Sequence, residues 1–552
     1  MWPQNYDPLG SPVLSTIAAA LPAIALLGCI ALRLRAHFAA LIGLLLALAI
    51  AVGLFHMPAS AAGSSVLYGA AIGLFPIGWI ILNIVFLYQL TVQRGHFEVL
   101  RESLSSIAPD ARVQVILIAF AFGAFLEGMA GFGAPIAITA AILIQLGFKP
   151  FQAASLALIA NTAPVAFGSL GIPVTTLAQV TGLDVHALSA MVGRQLPVFS
   201  LILPFWILTL YAGWRGMLGA WPAALVAGVC FAVPQFLISN FHGPWLVDIV
   251  SGVSCMAGLV LLLKFWKPKT LWRAGETHDP ANPSTEAAPP LVACRYSRRE
   301  VFQAWLPWIL LTSVILVWGT PQCTTALDRL SSSKVPVPYL HQVVQRTPPI
   351  APAGAKPVAA EYQINLLSTS GTGILLAGVA AGFLMGFSPR RMVVVYGQTL
   401  HQLRLPLLTI ATMLAFGMVI KYSGLDATLG LALAHTGVLY PFFGTLLGWL
   451  GVALTGSDTS SNVLFGSLQR ITAEQIGISP ILMGAANTSG GVMGKMIAAQ
   501  SIVVASSATN WYGHEGRILR LVFFHSLALA SLVGVWVLLQ AYVYPFTLMV
   551  QK

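Results

Sequence analysis

Residues 123–135 read GAFLEGMAGFGAP, and residues 454–462 read LTGSDTSSN. Each stretch interrupts a long apolar run with glycine and with a single acidic residue, Glu127 in the first and Asp458 in the second. Glycine weakens a helix, and a proline such as Pro135 ends or kinks one. Both stretches therefore predict a helix that is broken inside a hydrophobic segment.

The composition around these breaks is that of a membrane protein. Of 552 residues, 57% are hydrophobic and 8% are charged, whereas a soluble domain carries about 25% charged residues. A transmembrane helix needs about 20 apolar residues, and an open sheet edge cannot sit in lipid. We therefore predict an all-α polytopic membrane protein with about 12–14 transmembrane helices in two repeated halves. Broken helices or re-entrant hairpins are predicted near 113–147 and 440–466.

The net charge of +11 does not indicate a nucleic-acid partner. The basic residues lie between apolar spans, as the positive-inside rule expects. The five cysteines form no CxxC or metal-ligand spacing, so neither a metal nor a cofactor is predicted. Asp7 is the only charge before Arg33, which predicts a retained first helix with an outward N-terminus rather than a cleaved signal peptide.

Loop charge predicts the orientation of the chain. The segment 264–300 contains seven Lys and Arg residues, and 91–112 is also basic, so both are predicted to be cytoplasmic. Five apolar stretches lie between them, so one of these, best 113–147, must cross twice or re-enter. The predicted organisation is a first transmembrane half at 1–263 with a core repeat at about 113–180, a cytoplasmic loop at 264–300, a transmembrane helix at 301–319, a poorly ordered Pro/Ser-rich external loop at 320–365, and a second transmembrane half at 366–552 with a core repeat at about 440–508.

An internal repeat connects the two breaks. The first is followed by Ala-Asn-Thr at 160–162 and the second by Ala-Asn-Thr at 486–488. Gly128 precedes Asn161 by 33 residues, and Gly456 precedes Asn487 by 31. A glycine-rich helix start is predicted after each tripeptide (Gly168 and Gly171; Gly490, Gly491 and Gly494). Paired interruptions in two halves point to a transporter binding site, and the sequence leaves open whether the repeat is inverted.

Three charges stand out within or beside these segments: Glu127, Asp458 and Lys495. A buried charge in a membrane is costly and is functional by default. Glu127 and Asp458 are candidates for proton coupling, and Lys495 for contact with a substrate carboxylate, with Asp458 as its predicted partner. The alternative for Glu127 is a permanent structural ion pair. Arg194, in MVGRQLP at 191–197, is a rival cation, although its position at a helix start also fits an interfacial arginine.

Polar residues near the breaks complete the candidate binding site. Half-helix N-termini offer free N–H groups to an anion, and hydroxyl and amide side chains suit a ligand with a carboxylate and a hydroxyl. The alternative is that these side chains bond neighbouring helices. The candidates for substrate binding are Gly131, Gly133, Asn161, Thr162, Ser457, Ser460, Asn462, Asn487 and Thr488, with Thr459 and Ser489 nearby.

The absence of several sequence motifs narrows the range of possible functions. The chain has no GxxxxGK[ST], so any transport is predicted to be driven by a gradient rather than by ATP. It has no HExxH or GxSxG, and no enzymatic role is predicted. The alternatives are a carrier of a small anion with a carboxylate and a hydroxyl, a carrier of another anion such as a dicarboxylate or sulfonate, with either a proton or sodium as the coupling ion, an intramembrane enzyme and a passive channel.

At these motifs the sequence resembles the L-lactate permease family. The residues that carry the resemblance are GAFLEGMAGFGAP at 123–135, NTAPVAFG at 161–168, MVGRQLP at 191–197, TGSDTSSN at 455–462 and NTSGGVMGK at 487–495. The resemblance implies a multi-pass carrier of the bacterial inner membrane that takes up lactate, D as well as L, and often glycolate, with a proton. The expected partners are a small carboxylate, protons and the lipid bilayer, with no nucleic acid.

Overall fold

The computed structural model describes residues 1–31, 34, 36–105, 107–129, 133–274, 295–318, 320–352, 354–511 and 514–551. Over these residues the chain is dominated by apolar α-helices, which confirms the predicted fold class. The predicted site residue Gly131 and most of the 264–300 loop lie outside the described residues.

The first half contains thirteen α-helices among the described residues. Two π-helical turns, Gly73–Gly78 and Ile116–Phe122, each connect two of them, and the first is kinked at Phe75. The helices are α1 (Pro12–Ala31), α2 (Ala36–Gly53), α3 (Ala59–Ile72), α4 (Trp79–Gln93), α5 (His96–Ser105), α6 (Ala111–Val115), α7 (Gly123–Met129), α8 (Ala134–Gln145), α9 (Pro150–Ala160), α10 (Gly168–Thr181), α11 (Val185–Gln195), α12 (Pro197–Phe241) and α13 (Val247–Phe265).

The rest of the described chain contains ten more helices. The first ends just before the predicted external loop, the second lies at the start of that loop, and the other eight form the second half. They are α14 (Arg298–Trp318), α15 (Pro321–Ser331), α16 (Ser370–Leu384), α17 (Pro389–Ser423), α18 (Leu425–Ala434), α19 (Tyr440–Thr455), α20 (Asp458–Ile476), α21 (Pro480–Gly494), α22 (Ala499–Ala508) and α23 (Glu515–Tyr542).

Two small sheets correct the expectation of a structureless 320–365 segment. Strand β1 (Trp2–Pro3) pairs in parallel with β3 (Val344–Gln345), and β2 (Ser332–Pro336) pairs antiparallel with β4 (Glu361–Asn365). The residues of β2 are all exposed, so this ladder lies at the surface, where water satisfies the unpaired edges. The lipid argument against strands holds only for the membrane interior.

Six helical segments are long and apolar enough to cross a membrane, or eight if each bent pair is counted as one span, among the described residues. This count takes Val185–Phe241, 57 residues long, as one segment and leaves out four shorter apolar helices, so it does not test the predicted 12–14. Several of the apolar runs form half-length or bent helices. Pro150–Ala160 and Val165–Thr181 meet at 62°, and Leu425–Ala434 and Gly437–Ala453 meet at 114°.

The two ends of the bundle can be distinguished by their contacts. At one end, which we call the basic end, Ala111 N donates to Trp272 O at 2.8 Å and Arg391 Nη2 donates to Gln93 Oε1 at 2.9 Å. At the opposite end, which we call the N-terminal end, β1 pairs with β3 and Thr347 Oγ1 donates to Gln4 O. The described parts of the basic segments 91–112, 264–300 and 390–404 thus share one end, and its cytoplasmic orientation stays a prediction.

The core repeat is visible as one pattern that occurs twice: helix, break, helix, turn, helix, break, helix. In the first half it runs from α6–α7 through the α8–α9 hairpin to α10, and in the second from α19 through the α20–α21 hairpin to α22. The first breaks, between α7 and α8 and at Gly456–Ser457, fall inside the predicted stretches 113–147 and 440–466.

The two hairpins turn at opposite ends of the bundle. The α8–α9 turn is at the basic end, where the Phe148 and Tyr211 rings lie 5.3 Å apart and a Cβ at Gly147 would lie 3.7 Å from Ala274. The α20–α21 turn is at the N-terminal end, where Ser479 Oγ donates to Gln551 O at 3.0 Å and Gln475 donates to Pro349 O. Helix α10 packs on α20, and α22 packs on α8 and α9. The repeat is therefore inverted, which the sequence did not decide.

One detail of the repeat differs from the prediction. Gly490, Gly491 and Gly494 do not begin a helix but lie in the last turns of α21, and the second break follows at Lys495–Ala498. A Cβ at Gly490 would overlap Thr445 O, and one at Gly494 would overlap Trp449 O. These glycines let α21 lie against α19 at backbone contact, as small residues do between membrane helices.

Candidate functional site

A cavity of about 80 Å³ lies where the two inverted hairpins meet. A water molecule needs about 10–15 Å³ by this measure, so the cavity has room for a ligand of several heavy atoms. Both halves of the chain contribute to its wall. The residues that line it are Glu127, Val165, Gly168, Ser169, Ile172, Pro173, Gly456, Ser457, Asp458, Thr459, Lys495 and Gln500.

Glu127 comes from the first half, at the end of α7. It is 4% exposed, and its Oε2 accepts a hydrogen bond of 2.9 Å from Asn161 Nδ2 at the first residue after α9. A Cβ at Gly168 would lie 3.0 Å from Glu127 Oε1, so the carboxyl lies against the backbone where α10 begins. The first break and the second break of this half are thus joined through one carboxyl.

Asp458 comes from the second half, at the first residue of α20. Gly456 ends α19 in the left-handed conformation, with φ of +75°, and Ser457 Oγ caps α20 by accepting from Ser460 N. Asp458 is 3% exposed, and neither of its carboxyl oxygens has a hydrogen-bond partner. Its position in the first turn of a helix favours a negative charge there. The carboxyl points at Gly491, where a Cβ would overlap Oδ1.

Lys495 is the one basic side chain among the described residues that line the cavity. It is 7% exposed, and Nζ donates to Gly456 O at 2.7 Å. It interacts electrostatically with Glu127 and with Asp458, but its nitrogen does not come within 4.0 Å of either carboxyl. The predicted Lys495–Asp458 contact is therefore absent in this conformation, and the ammonium keeps donors that can serve a bound anion.

Several predicted binding residues instead bond one another inside the second half. Asn462 Oδ1 accepts from Asn487 Nδ2 and from Thr488 Oγ1, both at 2.9 Å. Asn462 Nδ2 donates to Pro173 O, and Gln469 Nε2 donates to Asn487 Oδ1. These side chains are fully buried and do not line the cavity. The network holds α20, α21 and α10 together, as the alternative reading of hydrogen-bonded helices anticipated.

The structure does not bring the remaining predicted residues into the cavity. Thr162 Oγ1 donates to Ile159 O in its own helix end. Ser460 lines a neighbouring cavity of about 30 Å³, which shares Ser457 and Thr459 with the first. Gly133 has φ of +87° and precedes α8 near Val504.

Arg194 lies away from the cavity. Its Nε donates to Asn240 Oδ1, and its Nη1 donates to Met549 O at 2.8 Å. Its own carbonyl accepts bonds from Trp536 and Gln540. The guanidinium therefore ties α11 to the C-terminal segment, and Lys495 is the cation at the site.

Ser169, Gln500 and Asp248 are residues near the site that sequence reasoning missed. Ser169 and Leu170 adopt positive φ of 47° and 59°, followed by Gly171 at 74°. Strained backbone of this kind clusters at functional sites. No sequence signal marks a left-handed turn at Ser169. Asp248 was overlooked because it begins an apolar span, where an acidic residue is ordinarily an interfacial one.

Two inverted, broken hairpins with a charged cavity between them are typical of membrane carriers with discontinuous helices. The L-lactate permease family model matches residues 15–544 of the chain. A glycolate permease of Escherichia coli K12 is 47% identical over 98% of each chain, and an L-lactate permease of Salmonella typhimurium is 46% identical over 98% of each. An L-lactate permease of Bacillus subtilis is 46% identical, over 98% of this chain and 99% of its own.

The chain belongs to the L-lactate permease family. These relatives are bacterial, and the apolar helices make the chain a multi-pass protein of the bacterial inner membrane. Among solved structures, the YdaH transporter of Alcanivorax borkumensis matches 86% of each chain at 17% identity, with a TM-score of 0.43.

Proposed function

We propose that the chain is a secondary transporter that takes up lactate and related 2-hydroxymonocarboxylates such as glycolate, each with a proton. The observation that carries this proposal is the position of Lys495, which lines the cavity and donates only one hydrogen bond among the described residues, to Gly456 O. A single cation suits a monoanion better than a dianion. Permease relatives of nearly full length, named for lactate and glycolate, support the substrate class, and the same proposal assigns the chain no enzymatic reaction.

The charges around the cavity support coupling to a proton. Glu127 and Asp458 face one ammonium, that of Lys495. If both carboxyls are ionised, an arriving carboxylate adds a third negative charge to a buried site with one positive charge. Uncompensated buried charge is very costly, so a proton that arrives with the anion lowers the free energy of the loaded state. We propose Glu127 as one acceptor of that proton.

Asp458 has a separate role in this proposal. Its carboxyl has no hydrogen-bond partner in this conformation and lies at the start of α20, close enough to Lys495 to interact with it. When the anion leaves, Lys495 can turn to Asp458, and when the anion returns, Lys495 can be released. The serine and threonine groups at Ser457, Thr459 and Ser169 then remain for the 2-hydroxyl of the substrate.

The inverted repeat provides for a conformational change that opens the cavity to one end of the bundle and then to the other. Because α10 packs on the hairpin of the second half and α22 on that of the first, tilting one hairpin moves the wall of the cavity that the other half provides. Alternating access to the two ends follows from such rocking of inverted units. We place the basic end in the cytoplasm.

Uptake of labelled L-lactate into proteoliposomes tests the proposal. An imposed pH gradient, acidic outside, should drive accumulation above the equilibrium level, and sodium should make no difference. The same vesicles without protein, and vesicles with collapsed gradient, are the controls. Accumulation that requires sodium, or uptake of a dicarboxylate or sulfonate in place of lactate, would assign the cavity to another anion and overturn the proposal.

A further inference from the structure

A second acidic residue lies beside the first break. Asp248, in the first turn of α13, is 1% exposed, and neither of its carboxyl oxygens has a hydrogen-bond partner. One turn further along α13, Ser251 is completely buried, and its Oγ is also without a partner. Polar groups buried at this depth normally have hydrogen-bond partners. We therefore expect Asp248 and Ser251 to bind a partner that the described side chains do not supply.

Packing holds Asp248 against the segment that carries Glu127. A Cβ at Gly128 would lie 2.9 Å from Asp248 Cβ, so only glycine at 128 allows this approach. A Cβ at Gly252 would lie 2.8 Å from Phe125 N, so the contact between α13 and α7 continues for another turn. The two carboxyls are near enough to interact electrostatically.

Asn161 adds a further hydrogen-bond acceptor without a partner to the Glu127–Asp248 pair. It is 2% exposed, its Nδ2 donates to Glu127 Oε2, and its Oδ1 has no partner. The two carboxyls also lie at similar depth, each about 25 Å along its helix from the basic end at 1.5 Å per residue. Glu127, Asn161, Asp248 and Ser251 thus form a buried polar group in the first half, which we call the first-half cluster.

Glu127 is the group whose charge acts on Asp248. Helix α13 packs on α7, α12, α10 and the turn Ile116–Phe122, and the last two contain no titratable residue. Lys495 faces Glu127 from across the cavity. The other titratable groups on the packed elements, or on the loop before α13, are Tyr211, Arg215, Cys230 and His242, with Cys255 and Lys264 on α13 itself.

Opposing effects act on the protonation of Asp248. Burial without a donor opposes the ionised form, while the first turn of a helix favours a negative charge. Two neighbouring carboxyls also oppose joint ionisation, because like charges at short range repel. With Asp248 included, three carboxyls (Glu127, Asp248 and Asp458) accompany one ammonium, and a bound monoanion makes the excess of negative charge larger still.

We propose that Asp248 and Glu127 form a two-carboxyl proton site, in which Asp248 is the second coupling residue. This inference rests on the proposed function. A proton from the N-terminal end adds to one carboxylate oxygen of the pair and gives a neutral carboxyl, so that the pair carries one negative charge instead of two. The anion binds at Lys495, one proton and one monoanion cross together, and the carboxyl returns its proton at the basic end.

Asp248→Asn tests this, because it keeps the size of the side chain and removes its proton exchange. In proteoliposomes, accumulation of labelled lactate under a pH gradient should fall at least ten-fold, whereas exchange of external for internal lactate should persist within a few-fold. Asp248→Glu, which restores a carboxyl, should recover part of the accumulation. Asp184→Asn is the matched control, since Asp184 is an exposed N-cap and asparagine caps equally well.

The outcomes separate this inference from the proposed function. If the wild-type protein accumulates no lactate under a pH gradient, the proposed function fails. If it does, and Asp248→Asn accumulates lactate equally with an unchanged pH profile, Asp248 is structural and the inference fails alone. If Asp248→Asn does not fold, the pH midpoint of lactate binding to Asp248→Glu decides, because a shift supports the proton site and an unchanged midpoint overturns it.

Discussion

At the scale of single residues, the three intramembrane charges found in the sequence converge on one cavity. Glu127, Asp458 and Lys495 are 368 residues apart at most along the chain (495 − 127 = 368) but line the same space. The expectation that a buried charge is functional by default depends on its energetic cost alone, and for this reason it needs no knowledge of the fold. In the structure Lys495 Nζ donates to Gly456 O and contacts neither carboxyl, and for this reason we propose it as the group that meets the substrate.

Lys495→Met should weaken lactate binding about 10- to 100-fold, because a hydrogen bond to a charged group contributes about 1.5–3 kcal/mol. The substitution keeps the length and apolar stem of the side chain. Equilibrium binding of labelled L-lactate to the purified protein measures the effect, with size-exclusion chromatography to verify that the variant is folded.

Arg194→Gln is the matched removal of a cation away from the cavity. It should leave lactate affinity unchanged and lower the melting temperature, because Arg194 holds the C-terminal segment through Met549. Unchanged affinity for Lys495→Met together with weakened affinity for Arg194→Gln would reverse the assignment of the two cations.

At the scale of elements, the sequence predicted the breaks well and their surroundings less well. Glycine clusters with Pro135 or Ser457 mark both first breaks because they act locally on backbone conformation. The second-half Asn487 and Thr488 were misplaced, since a tripeptide match does not show whether it lies at a break or within α21. Asn462, which bonds both, is separated from them by 25 or more residues, and only packing brings the three together.

The end of the bundle at which each hairpin turns could likewise not be predicted from the sequence, because both hairpins are apolar helix–turn–helix units with few charged residues. Single cysteines in a variant without the five natural ones test it. Gln475→Cys, beside the α20–α21 turn, should react with an impermeant maleimide from outside right-side-out vesicles. Lys149→Cys, in the exposed α8–α9 turn, should react only after the membrane is opened. Reaction of both from the same side would refute the inverted arrangement.

At the scale of the whole molecule, the two inverted halves contribute their charges to one shared site. Each half supplies at least one buried carboxyl, and the second half supplies the ammonium that interacts with both Glu127 and Asp458. Composition identified the membrane class, but it could not show which apolar runs form half-length helices, such as α8 and α22, that do not cross the bilayer alone. Asp248 could not be predicted as a site residue from the sequence either, because its neighbour Glu127 is distant in the chain and close only in space.

The central claim is that anion and proton bind together, and proton uptake on lactate binding tests it most directly. Calorimetric titration of the purified protein with L-lactate at neutral pH, in two buffers of different ionisation enthalpy, gives the number of protons exchanged. At this pH lactate is already ionised. The account predicts uptake of about one proton for each lactate bound, since linkage requires a site that gains negative charge to gain protons. Binding with no proton exchange, or with release, would contradict it.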